Sequence, residues 1–116
     1  MKLLTKAQYD RLIANGLKQD PVRGTPDEID FEPVVKLFNP AGIGTWLLTE
    51  LDPECPDIAF GLCDLGYPEL GSVSISELES VRGPIGLGIE RDRHWTAKKT
   101  LMAYAREASA AGRIVA

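Results

Sequence analysis

Two β-prone runs flanking a proline-bearing turn constrain this chain more than any other stretch. Residues 45–51 read TWLLTEL, residues 52–57 read DPECPD and residues 58–64 read IAFGLCD. Aromatic, branched and large aliphatic side chains suit a pleated surface, while Pro and Asp punctuate the connection. The three pieces therefore read as an antiparallel hairpin. Alternation then assigns faces. With Leu51 opposite Ile58, Thr49 meets Phe60 and Leu47 meets Leu62, which gathers Leu47, Leu51, Ile58, Phe60 and Leu62 on one aliphatic face. The other face carries Trp46, Leu48 and Glu50 opposite Cys63, Gly61 and Ala59. Both faces hold apolar residues, so the hairpin is expected at the centre of a sheet, covered at least in part on each side.

Helical segments flank this hairpin. Thr5 with Gln8 three residues on forms a capping box, and Tyr9, Leu12 and Ile13 share the face of a helix that Gly16 is expected to end. Residues 18–33 hold three prolines and five acidic residues, which predicts a surface loop with a candidate functional role. A strand follows over residues 34–39. Residues 65–71 read as a loop, and residues 72–75 as a strand with Val73 and Ile75 inward. Ser76 with Glu79 then predicts a capped helix burying Leu78 and Val81 and stopped by Gly83 and Pro84. Residues 85–91 alternate Ile85, Leu87 and Ile89 with two glycines, as a strand does. Thr96 is the expected cap of a last helix reaching Ala111, with Leu101, Tyr104, Ala105 and Ala108 on one face. Gly112 stops it, and Ile114 and Val115 are expected to fold back. Together these elements predict a single α+β domain over residues 1–116. Its central, mostly antiparallel sheet has four to six strands, with about three helices at its edges or on one face.

Charge narrows the function classes. The chain has 13 Lys and Arg against 17 Asp and Glu, a formal net charge of -4. That balance disfavours a strong duplex-DNA binder, which needs clustered cations to neutralise phosphates. No run approaches the roughly 20 apolar residues of a membrane span, and no secretory leader is recognisable, so the cytoplasm is the expected location. Cys55 and Cys63 match neither a metal motif nor a disulfide framework and are expected as free thiols.

The residues that can carry chemistry are few. Glu90, Asp92 and His94 occupy alternate positions, so an extended backbone would point all three one way. Joined by Glu50 or Asp64 from the hairpin, they would make a divalent-metal site and a metal-assisted hydrolase. Surface ion pairing is the competing explanation. The same stretch, with Arg91, Arg93, Trp95, Lys98 and Lys99, mixes cations with an aromatic ring, the ingredients of single-stranded nucleic-acid binding over residues 91–99. Trp46, Leu48 and Glu50 form a candidate protein interface, apolar with a charged rim, if no helix covers them. The glycines match no phosphate-binding loop or dinucleotide fingerprint. No catalytic residue is assigned and no cofactor is predicted. The reading that best fits this sparse inventory is a non-catalytic protein-interaction or accessory module, with a protein or a second copy of the chain as partner.

Several blocks in order carry a family likeness. PVVKLFNP at 33–40, TWLLTELDPECPDIAFGLCDLG at 45–66, PELGSVSISELESVRGP at 68–84 and IERDRHW at 89–95, with the opening LLTKAQYDRLIANG at 3–16, resemble the domain of unknown function 2958 family of small bacterial proteins. The resemblance implies a bacterial cytoplasmic protein in a plasmid or mobile-element setting. It transfers no catalytic residue.

Overall fold

A computed structural model describes residues 3–83 and 86–116 of the chain. Helix α1, Lys6–Gln19, begins on the predicted capping box: Thr5 accepts the Gln8 N–H at 3.1 Å and the Gln8 side chain accepts the Thr5 N–H at 3.0 Å. It does not end at Gly16. That glycine lies inside the helix, where its missing Cβ lets the backbone press against strand β2, Thr45–Asp52. A single 3-10 turn, Asp20–Val22, follows the helix. Strands β1, Val35–Phe38, and β3, Cys55–Asp64, flank β2. Strand β4, Pro68–Ser74, starts earlier than its composition suggests, because an edge strand pairs on one side only and needs less apolar material. Helix α2, Ile75–Ser80, strand β5, Glu90–Arg91, and helix α3, Leu101–Ala111, complete the fold.

The five strands form one antiparallel sheet in the order β4-β3-β2-β1-β5. The three helices pack around it, on both faces. Leu12 of α1 and Ile75 and Leu78 of α2 join Val35, Leu37, Trp46, Leu48, Leu51 and Ala59 in one core. Leu101, Tyr104 and Ala108 of α3 join Leu47, Leu62 and the returning Ile114 in the other. Burying a side chain of this size stabilises by about 1.5–3 kcal/mol, so both cores hold the sheet.

The hairpin register holds at one end and shifts at the other. Trp46 faces Cys63, Leu47 faces Leu62 and Leu48 faces Gly61, as alternation predicts. Between Leu48 and Glu50 the register slips, so that Glu50, not Thr49, faces Phe60, and Leu51 faces Ala59 instead of Ile58. An extra residue at this β-bulge reverses the alternation. Leu51 consequently joins Trp46 and Leu48 beneath α1, while Thr49 and Glu50 turn to the α3 side. Gly61 is required there, since an added Cβ would lie 2.0 Å from the Leu47 carbonyl oxygen.

Three helix boundaries differ from the sequence reading, each through a contact distant in sequence. Ser74 caps α2, accepting the Glu77 N–H at 3.2 Å, while the N–H and hydroxyl of Ser76 both donate to Asp57. Glu79 closes no capping box and accepts the Leu3 N–H at 2.9 Å, and Val81, at the end of α2, is exposed. Helix α3 starts at Leu101, not after Thr96, because residues of the 18–33 segment serve its first turn: Phe31 accepts the Leu101 N–H at 2.8 Å and Asp30 accepts the Met102 N–H at 3.1 Å. That segment is tied down by Gln19, whose side chain donates to the Ile29 carbonyl at 2.7 Å and accepts the Ile29 N–H at 2.8 Å. Among the described residues the expected 85–91 strand reduces to Glu90–Arg91, and the Gly83 N–H donates to the Leu87 carbonyl. The Pro84 stop and the Ile85 position lie outside the described residues.

Candidate functional site

Strand β5 pairs with β1 so that Arg91 faces Leu37 and Glu90 faces Phe38. Leu37 belongs to the core under α1 and α2, so alternation sends Arg91 to that side. The Arg91 guanidinium donates to the Leu3 carbonyl. Nearby, Arg82 donates from Nη1 to the carbonyls of Glu79 at 2.8 Å and Val81 at 2.7 Å. Arg82, Arg91 and Arg93 line one cleft of about 440 Å³, together with Leu3, Glu79 and Glu90. Among the described residues, none of the three arginines has a carboxylate within ion-pair distance. The Glu79 carboxylate that shares the cleft already accepts a backbone N–H. Each guanidinium has five N–H donors in a fork, so most of this capacity is unspent.

The predicted group Glu90, Arg91, Asp92, Arg93, His94 and Trp95 therefore divides. Glu90, Arg91 and Arg93 reach the cleft. Asp92 turns to Lys36: its N–H donates to the Lys36 carbonyl at 2.9 Å and its Oδ2 lies 3.9 Å from Nζ. Its Oδ1 accepts the His94 N–H at 3.1 Å, a turn that takes His94 out of the extended row and leaves it exposed. Trp95 packs on Tyr104 with ring centroids 5.9 Å apart, and Lys99 pairs with Glu107. Among the described residues, no three His, Cys, Asp or Glu side chains are grouped to hold a metal ion. Glu50 and Asp64 do not join the row either. Asp64 accepts the N–H groups of Gly66 and Ile114, both at 2.9 Å, and so anchors the C-terminal return.

The candidate interface Trp46, Leu48 and Glu50 is not a surface. Trp46 and Leu48 are buried in the core shared with α1 and α2, and the bulge places Glu50 on the opposite side of the sheet. There Glu50, only 4% exposed, accepts from the Thr49 hydroxyl at 3.4 Å through Oε1. Arg23 Nη2 stands 3.0 Å from Oε2, yet its N–H is not aimed at that oxygen, which has no hydrogen-bond donor. The same guanidinium contacts Asp20 at 2.9 Å. Asp20 chiefly, and Glu50 after it, hold the Arg23 pKa above its usual value against the opposing effect of burial. Two clefts, of about 540 and 210 Å³, share Arg23, Glu50 and Phe60 in their walls.

Sequence reasoning missed Arg82 and Arg23. Arg82 gives no local signal, since its role depends on how α2 docks beside β5. Arg23 gives one: it is the sole cation between residues 19 and 35, set among five carboxylates.

This architecture defines a class: an α+β protein whose antiparallel sheet is clad by three helices, with an arginine-lined cleft on one side and clefts around Glu50 on the other. No helix among the described residues is long and apolar enough to cross a membrane. The chain belongs to the family described as protein of unknown function (DUF2958), whose model matches residues 3–115. No curated protein and no solved structure matches it.

Proposed function

We propose that the protein is a non-catalytic binding module that docks an anionic segment of a protein partner in the Arg82–Arg91–Arg93 cleft. One observation carries this reading: three guanidinium groups with no carboxylate partner among the described residues line a single cleft in a chain of net charge -4. Arginines gathered without carboxylate partners favour an anionic ligand locally even where the net charge of the chain is negative. Their planar forks match carboxylate and phosphate oxygens in pairs. The module operates in the bacterial cytoplasm in a mobile-element setting, as the family likeness implies, and a second copy of the chain is one admissible partner. The hydrolase reading loses support because Asp92 and His94 leave the cleft that Glu90 lines. The nucleic-acid reading loses support because Trp95 is engaged with Tyr104 and is not free to stack on a base.

The test is a calorimetric titration with a short polyglutamate peptide and with single-stranded DNA, at low and physiological salt. Saturable peptide binding should weaken at least about tenfold in the doubly neutralised R82Q/R93Q protein. Equal affinity of that variant for the peptide would refute the cleft as the docking site. Tighter binding of the DNA than of the peptide would favour the nucleic-acid reading.

A further inference from the structure

Glu50 is a buried carboxylate whose Oε2 has the Arg23 guanidinium 3.0 Å away but no hydrogen bond aimed at it. A buried carboxylate is stable only when its charge and lone pairs are answered, and Oε2 receives no aimed donor although the side chain is 5% exposed. The two lobes around it carry five carboxylates, Asp20, Glu28, Asp30, Glu50 and Asp52, against the single guanidinium of Arg23. Glu28, Asp30 and Asp52 each accept one backbone N–H, from Gly24, Met102 and Glu54, and none of the three has an ion-pair partner among the described residues. The rest of the larger lobe's wall is mostly apolar, built from Phe31, Phe60, Leu70, Leu101 and Met102. From these observations we infer that the Glu50 cleft binds an organic ammonium group carried on an apolar chain. The ammonium supplies the donor that Oε2 lacks, and the methylenes lie along Phe60 and Leu101.

The carboxylates are not grouped for a metal ion among the described residues, so the geometry selects a cation that brings its own N–H donors and hydrocarbon. Arg23 occupies the position of that cation from within the chain. It can withdraw without being stranded, since Asp20 holds it at 2.9 Å and its side chain is 45% exposed. Binding is therefore an exchange of one cation for another at Glu50, with Arg23 remaining on Asp20. Loss of Arg23 should raise affinity, an effect that a purely structural Glu50–Arg23 pair would not produce. The inference does not depend on the arginine cleft, which lies against the other face of the sheet.

The experiment titrates hexylammonium chloride, and separately a short lysine-containing peptide, into the full chain, followed by calorimetry and amide chemical shifts. Wild type should bind at least one probe saturably. If Arg23 vacates Glu50 about one-tenth of the time, R23Q should bind about tenfold more tightly. E50Q, checked for folding by circular dichroism, should lose at least about tenfold. The stronger probe tells a free amine from the side chain of a partner, and either supports an ammonium site. Should E50Q fail to fold, M102W at a partly exposed wall position should block the lobe and weaken binding instead. No saturable response in both wild type and R23Q, or undiminished binding by folded E50Q or by M102W, would overturn the inference.

Discussion

Replacing Gly16 by Ala sets two effects of known sign against each other. In an isolated helix the change stabilises by about 1 kcal/mol, because Gly costs more backbone entropy. In this fold the new Cβ would stand 2.0 Å from the Leu51 carbonyl oxygen and 3.1 Å from Pro53 Cδ. Ordinary contact begins near 3.4 Å, so α1 must retreat from β2 by roughly 1.4 Å. That movement loosens Leu12 in the core and strains the hydrogen bond from Asn15 Nδ2 to the Thr49 carbonyl, 2.8 Å long and located at the bulge. Overpacking of this kind costs about 1–3 kcal/mol, sometimes more, and a backbone carbonyl yields less readily than a side chain. With the hydrogen-bond loss included, we expect a net destabilisation of about 2 kcal/mol. For a chain of 116 residues that corresponds to a Tm lower by about 8 °C. Thermal and urea melts followed by circular dichroism measure it, with G71A as the control, since nothing lies within 4 Å of a Cβ added there. A G16A protein that melts at or above wild type, as propensity alone dictates, would refute the close-approach argument.

Two further predictions concern titratable groups. Burial chiefly, with the Glu69 charge second, pushes the Cys63 thiol up to about 11, whereas Cys55 is exposed. The native protein at pH 8 should thus present one fast-reacting thiol to a disulfide reagent and two in urea, and two equally fast native thiols would contradict the packing of β3. Asp57 accepts hydrogen bonds from Ser74 and Ser76, and these hold its pKa below the usual carboxylate value. A depressed folded pKa contributes stability that is complete above the unfolded value of roughly 3.9 and is lost as pH falls through the lower folded value. D57N should therefore be less stable than wild type at neutral pH, with the gap closing in acid. A gap that widens in acid would reverse the assignment.

Local chemistry made part of this fold readable. The Thr5–Gln8 box and the Gly112 stop, at a positive φ of 78°, involve neighbours in sequence and were legible. The hairpin was legible as far as Leu48, where alternation is unbroken. The rest depends on partners far along the chain. Gly16 looked like a stop because only the docked Leu51 carbonyl reveals it as a contact point. Thr96 looked like a cap because the donors of α3 are satisfied by Asp30 and Phe31, some 70 residues away. At the candidate site, Arg91 and Arg93 were identified within a block of six whose members then diverge. Arg82 and Arg23 reach their clefts only through tertiary docking.

The bulge at Thr49 gives β2 a change of phase in mid-strand. Before it, even-numbered positions lie beneath α1 and α2, and after it the odd-numbered Leu51 does. A substitution scan along β2 should carry a period-two signature that inverts at Thr49. Lengthening or shortening the strand by one residue has a consequence unlike that of any substitution. Deletion at Thr49 would restore regular pairing and leave Glu50 opposite Phe60 on the α3 side, with Leu51 still beneath α1. Thr49 is in this sense dispensable to the alternation, and a strand one residue shorter should keep its buried charge on the same side of the molecule.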